Sequence, residues 1–182
     1  MKYFKVLLVL LFSIVLFTGC NNLMNTPTKK VELLLSKYQK KDEEVLKQLG
    51  DTLLSDAVLD VDQKNTYKEL LERQYSDLTY IIKNEAIDGK TAVVEVEIEV
   101  YDYNKAITAS EDYLVSHQDE FVDEGNIINT KKYNDYKLNN IKDMKDRIKY
   151  TINFTLSKMD EEWIVDDLTD TERMKIHGLY AY

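Results

Sequence analysis

From residue 94 to residue 100 the chain reads Val-Glu-Val-Glu-Ile-Glu-Val, a period of two that suits a β-strand with one buried and one wetted face. Val94, Val96, Ile98 and Val100 therefore face a core, and Glu95, Glu97 and Glu99 face water. A slip of one residue would exchange the two faces. Just upstream, Leu78, Tyr80 and Ile82 alternate with Thr79, Ile81 and Lys83, which predicts the partner strand of a hairpin. A two-residue Asp88-Gly89 turn would set Tyr80 opposite Glu97 and mix the faces. A three-residue loop, Ile87-Asp88-Gly89, sets Tyr80 opposite Val96, Ile82 opposite Val94 and Leu78 opposite Ile98, with Gly89 at a left-handed position. Same-face glutamates on one strand lie nearly ~7 Å apart, too far for all three to hold one cation. They read as a solvated face paired with Lys149 or Lys158.

Around this hairpin the apolar period is helical. Thr26-Pro27 suits an N-cap and a first helical residue, and Val31, Leu34, Leu35, Tyr38, Val45, Leu46 and Leu49 recur at three- and four-residue steps. Asp42 interrupts that pattern and Gly50 marks its end. A second helix is predicted over residues 63–74, with Tyr67, Leu70 and Leu71 on one side, and a third over residues 104–124, with Ala106, Ile107, Tyr113, Leu114, His117 and Phe121 together and Gly125 as its stop. Residues 126–146 are weakly patterned and read as an exposed helical excursion. Alternation then returns over residues 147–158, with Ile148, Tyr150, Ile152, Phe154 and Leu156 inward, and a fourth strand follows over residues 162–168. Thr169 with Glu172 three places on forms a capping box for a short last helix that stops at Gly178. Four antiparallel strands packed on N-terminal and central helices make an α+β fold.

The N-terminus carries an address. Residues 6–17 are apolar but for Ser13, stand behind Lys2 and Lys5, and are shorter than the ~20 residues that span a bilayer. Thr18-Gly19-Cys20 follows, and the chain turns polar at Asn21-Asn22. This resembles a bacterial lipobox, with Phe17 where leucine is usual. The resemblance implies a signal peptide over 1–19, a lipidated Cys20, a polar tether over 20–28, and one α+β domain over 29–182. It places the protein on the extracytoplasmic face of the cell membrane. Cleavage removes Lys2 and Lys5 and leaves 22 basic against 33 acidic residues, a net charge of −11. That surface is a poor partner for nucleic acid. Cys20 is the only cysteine, so its acylation leaves no thiol for a disulfide or a cysteine zinc site.

The order helix, helix, hairpin, long helix and two antiparallel strands is similar to the cystatin-like or nuclear-transport-factor-two-like superfamily, a sheet curved into a cone on helices. The lipobox, the strand at residues 95–103 and the segment Trp163-Ile164-Val165-Asp166-Asp167-Leu168 resemble uncharacterised lipoproteins of low-GC Gram-positive bacteria. The superfamily holds isomerases and dehydratases as well as non-catalytic binding modules, so fold alone does not choose between them. No nucleophile elbow, phosphate loop or metal-ligand cluster is present, and no catalytic residue, metal or cofactor is expected. The expected function is a tethered, non-catalytic module that binds a small ligand or an envelope protein, with a homodimer allowed. Tyr80, Tyr101, Tyr103, Tyr150 and Trp163 are its candidate pocket residues, weighed against ordinary core packing. The alternative is a small cone-pocket enzyme, isomerase- or dehydratase-like, with His117 or a buried aspartate as base.

Overall fold

The structure is a computed structural model that describes residues 24–181 apart from residue 56. Cys20 and the signal segment lie outside the described residues. Among the described residues three helices come first: α1 (Pro27–Gln39), α2 (Glu43–Ser55) and α3 (Val61–Asp77). Thr26 caps α1 by accepting from the Lys29 N–H at 3.2 Å, and Pro27 takes a first-turn position. Lys41, with φ +53°, turns the chain between α1 and α2. Gly50 does not end a helix as expected. It lies inside α2, because Val45, Leu49 and Leu53 continue one buried stripe past it. Asp60 and Gln63 form a capping box at the start of α3.

The hairpin β1 (Thr79–Asp88) and β2 (Thr91–Tyr101) leads into α4 (Tyr103–Ser116), a 3-10 turn (Gln118–Phe121), and a small ribbon of β3 (Val122–Asp123) and β4 (Ile127–Ile128). Then come α5 (Thr130–Asp143), β5 (Arg147–Met159), β6 (Glu162–Val165) and α6 (Asp170–His177). The main sheet is antiparallel, open, and ordered β1-β2-β5-β6. Its inner face carries Val94, Val96, Ile98 and Val100 against Phe154, Ile152, Tyr150 and Ile148. The four β2 side chains are fully buried, and each such aliphatic contributes about 1.5–3 kcal/mol relative to an exposed one. The α+β architecture and the inward set of β2 agree with the pattern in the sequence.

The hairpin register differs from the expected one. The loop is the two-residue Gly89-Lys90, with Asp88 opposite Thr91, and Tyr80 pairs with Ile98 and Ile82 with Val96. A bulge at Lys83 reconciles that even loop with a face-matched strand. Beyond it Glu85, rather than residue 84, falls on the same side as Val94. There its carboxylate accepts from the Thr28 N–H at 2.8 Å and the Thr28 hydroxyl at 2.7 Å. An acidic group thus meets free donors in the first turn of α1. On the outer face Glu97 sits 3.1 Å from Lys149 and 3.2 Å from Lys83, and Glu99 lies 3.5 Å from Arg147. Lys158 pairs instead with Glu161 at 2.8 Å.

Two more boundaries move. The helix expected to reach residue 124 stops at Ser116, and the 3-10 turn after it drives Phe121 into the protein. Gly125, with φ +94°, lies between β3 and β4. The expected exposed excursion is a packed helix, α5, which buries Leu138 and Ile141. Asn140 on α5 donates to the buried Ser110 hydroxyl on α4 at 2.9 Å. Strand β6 ends at Val165, and α6 begins and ends as its capping box and Gly178 predict. No helix among the described residues is long and apolar enough to cross a membrane.

Candidate functional site: a cavity closed by the last helix

The C-terminal helix brings two polar side chains into the helical layer. Arg173 and His177 are four residues apart, hence on one face of α6. The Thr169–Glu172 capping box fixes the start of the helix and Gly178 its end. Behind it Gln74, fully buried on α3, donates to the carbonyls of Tyr101 and His177, both at 2.9 Å, and accepts from the Tyr101 N–H at 2.8 Å. This one amide ties α3, the end of β2 and the end of α6 together. Its neighbour in sequence, Tyr75, is hydrogen-bonded through its hydroxyl to His177 Nε2 at 2.8 Å.

A cavity of about 100 Å³ lies at this junction. Leu49 and Leu53 of α2 and Leu71 of α3 supply apolar wall, Tyr38, Tyr67 and Tyr75 supply rings, and Arg173 and His177 close the α6 side. Tyr67, Leu71 and Tyr75 recur every four residues, so α3 lays them along one stripe. The Tyr38 ring meets Tyr75 edge-on, with centroids 5.1 Å apart at 78°. Gln48, Thr52, Arg173 and His177 also border a shallower groove outside, where Asp51, Asp167 and Asp170 stand. The adjoining groove is therefore acidic, whereas no carboxylate lines the cavity itself.

The electrostatics are those of a neutral pair. His177 keeps some accessible surface, yet burial, helped by the nearby Arg173 cation, pushes its pKa down to about 4. Burial pushes the Tyr75 phenol far above its ordinary value, reinforced by the Tyr38 and Tyr67 phenols. Burial also raises Tyr38, with Arg173 partly opposing. Acid–base catalysis near neutral pH works best with a pKa near 7. Here the imidazole is moved below that range and the phenols above it.

A pH prediction follows from His177. The folded imidazole titrates at about 4 against an ordinary value of 6.5, so between those pH values the unfolded chain binds a proton that the folded chain does not. The contribution is complete above pH 6.5 and is lost as pH falls from 6.5 to 4. The loss should total about 2–3 kcal/mol, allowing for the residual exposure of the ring. Urea unfolding from pH 7.5 to 4.5 should show a steeper decline for the wild type than for His177→Gln, and parallel curves would refute it.

The residues expected from sequence to form a pocket do not converge. Tyr103 is fully buried and donates to the Leu70 carbonyl at 2.9 Å, and Tyr150 donates to the Tyr180 carbonyl at 2.8 Å. Tyr101 stacks on Tyr103 with centroids 6.0 Å apart, holds Arg73 4.3 Å from its ring, and donates to Asp77 at 2.8 Å. Tyr80 is half-buried on β1, and Trp163 is buried on β6 beneath Lys158. None of the five lines the cavity. His117 is likewise elsewhere: it caps α4, stacks on Tyr113 at 3.9 Å, and its Nδ1 lies 2.9 Å from the Ser116 hydroxyl. No aspartate is among the buried residues described. Among the described residues no group of three or more histidine, cysteine, aspartate or glutamate side chains could hold a metal ion.

The sequence reading missed Tyr38, Tyr75, Arg173 and His177 as site residues. The available signal was the four-residue spacing of Tyr67, Leu71 and Tyr75 and of Arg173 and His177. Comparison adds little to this geometry. No protein-family model matches the sequence, and no curated protein matches it. Among solved structures the chain is similar to the "putative lipoprotein (ycdA)" of Bacillus subtilis subsp. subtilis str. 168, at 15% identity and a TM-score of 0.42, over 82% of this chain and 46% of that one. The chain therefore spans less than half the length of that protein.

Proposed function

We propose that this is a lipoprotein held through Cys20 at the extracytoplasmic face of the cell membrane, and that its folded domain is a non-catalytic binding module. The observation that carries the binding reading is the α6-closed cavity, where Tyr38, Tyr75 and His177 are held neutral at physiological pH beside the Arg173 cation and so serve as fixed walls and hydrogen-bonding groups. The cystatin-like or nuclear-transport-factor-two-like resemblance fits such a module, since that superfamily includes many non-catalytic binders. The tether is short: Asn25 accepts from the Trp163 N–H at 3.0 Å and donates to the Glu161 carbonyl at 2.8 Å. Only five residue steps separate it from Cys20, at most roughly 18 Å of extended chain.

Two measurements test this reading. In a Gram-positive host the wild type should partition into detergent and Cys20→Ser into the aqueous phase; equal partitioning refutes the anchor. A small ligand found by thermal-shift screening of the full-length protein should raise its Tm saturably and remain chemically unchanged by proton NMR over hours. Consumption of that ligand would favour the second reading, a small isomerase- or dehydratase-like enzyme. The Tyr75–His177 hydrogen bond is the feature that supports that alternative, with His177 in place of His117 or an aspartate.

A further inference from the structure

Tyr38 is 5% exposed and lines the cavity, yet its hydroxyl has no hydrogen-bond partner among the described residues, although its ring is locked edge-on against Tyr75. The hydroxyl is not one of the fully buried atoms left without a partner, which among the described residues is Arg73 Nε; it keeps accessible surface, where water or a ligand can meet it. The neighbouring polar groups narrow what could satisfy this one. Arg173 anchors itself by donating one guanidinium nitrogen to the Leu168 carbonyl at 2.6 Å. The same side chain forms part of the cavity wall, and a guanidinium carries further donors and no acceptor. The Tyr75 hydroxyl and His177 Nε2 are already engaged with each other. The lining thus offers a cation and a phenolic donor, with no carboxylate facing them. Val45, Leu49, Leu53, Leu71 and the tyrosine rings make most of the remaining wall apolar, with Gln48 and Thr52 where it adjoins the outer groove.

Resting on the reading of this cavity as the binding site, the geometry points to a short-chain monocarboxylate as its ligand class. The carboxylate would accept from the Tyr38 hydroxyl and from Arg173, and a compact aliphatic body would lie against the leucines. The size fits: about 100 Å³ is less than the roughly 150 Å³ cavity known to accept benzene, which limits the ligand to a few heavy atoms. The acidic groove outside bears only on the charge of an anion that enters. Asp51, Asp167 and Asp170 border the outer groove. They repel a phosphate dianion more than a monoanion, and salt screens them over ~8 Å, whereas the donors inside are shielded from it less.

The test uses the full-length protein in detergent at physiological salt, with propionate, propionamide and propylamine as probes and ligand-observed NMR as the readout. Propionate should bind at least about tenfold more tightly than either neutral or cationic analogue, as expected for hydrogen bonds to a charged group. Tyr38→Phe keeps the ring and removes only an unbonded hydroxyl. It should weaken propionate by about tenfold without lowering the Tm, and Arg173→Gln should weaken it further. Equal binding of propionamide, or no effect of Tyr38→Phe, overturns the carboxylate assignment. Xenon binding, followed by its chemical shift, separates the two levels of failure. Xenon uptake without propionate binding refutes the ligand class and leaves the cavity reading standing, whereas absence of both refutes the cavity as a binding site.

Discussion

Gly178→Ala should lower stability by more than about 4 kcal/mol, among the largest effects expected of a single substitution in this protein. The residue ends α6 with φ +70°, where an alanine costs roughly 1–2 kcal/mol from its own backbone. The greater part comes from space. A Cβ added there would stand 2.1 Å from the Tyr101 carbonyl oxygen and 2.3 Å from Gln74 Nε2. Neither can step aside cheaply. The Tyr101 carbonyl and N–H are both held by Gln74, and the Gly178 carbonyl accepts from the Asn104 N–H at 2.8 Å. Alanine would thus push α6 away from the β2–α4 junction and open the cavity between Arg173, His177 and α3. Equilibrium urea unfolding gives the number; a variant within about 1 kcal/mol of wild type would show that α6 is free to shift.

Gln74→Leu is the second large effect, expected at about 3–5 kcal/mol, although leucine nearly matches the volume of glutamine. The loss is of polar satisfaction and not of packing. Leucine would leave the Tyr101 N–H without the acceptor it has at 2.8 Å, and would remove a donor from the carbonyls of both Tyr101 and His177. Each orphaned buried group costs about 1–3 kcal/mol. Thr66→Ala on the exposed side of the same helix, whose hydroxyl donates only to the Asp62 carbonyl, is the matched control and should cost under about 1 kcal/mol. Because Gln74 and Gly178 share one contact, the double variant Gln74→Ala, Gly178→Ala should be less destabilising than the sum of the singles. Strict additivity would mean that the amide and the glycine act independently, contrary to the 2.3 Å approach.

Periodicity and capping determined much of this protein in advance, because both are local. The Val94-to-Val100 alternation sets the faces of β2 whatever packs on them, and the same holds for Tyr150, Ile152, Phe154 and Leu156 on β5. Thr169 and Glu172 start α6 and Gly178 stops it through hydrogen bonds that span only a few residues. The hairpin register was not local in this sense. It depends on the Lys83 bulge, which delivers Glu85 to the Thr28 N–H, 57 residues away in the chain. The aromatics illustrate the same limit. The inward direction of Tyr150 follows from parity, whereas Tyr103 is buried because it begins α4 beyond the end of β2; the Leu70 and Tyr180 carbonyls tie the Tyr103 and Tyr150 hydroxyls into the core. The cavity is the extreme case, since Tyr75 and His177 meet across 102 residues of sequence. A histidine ending a helix reads the same in sequence whether it faces water or protein. Only the packing of α6 on α3 and on strands β2 and β5 removes the water that would have kept its pKa near 6.5.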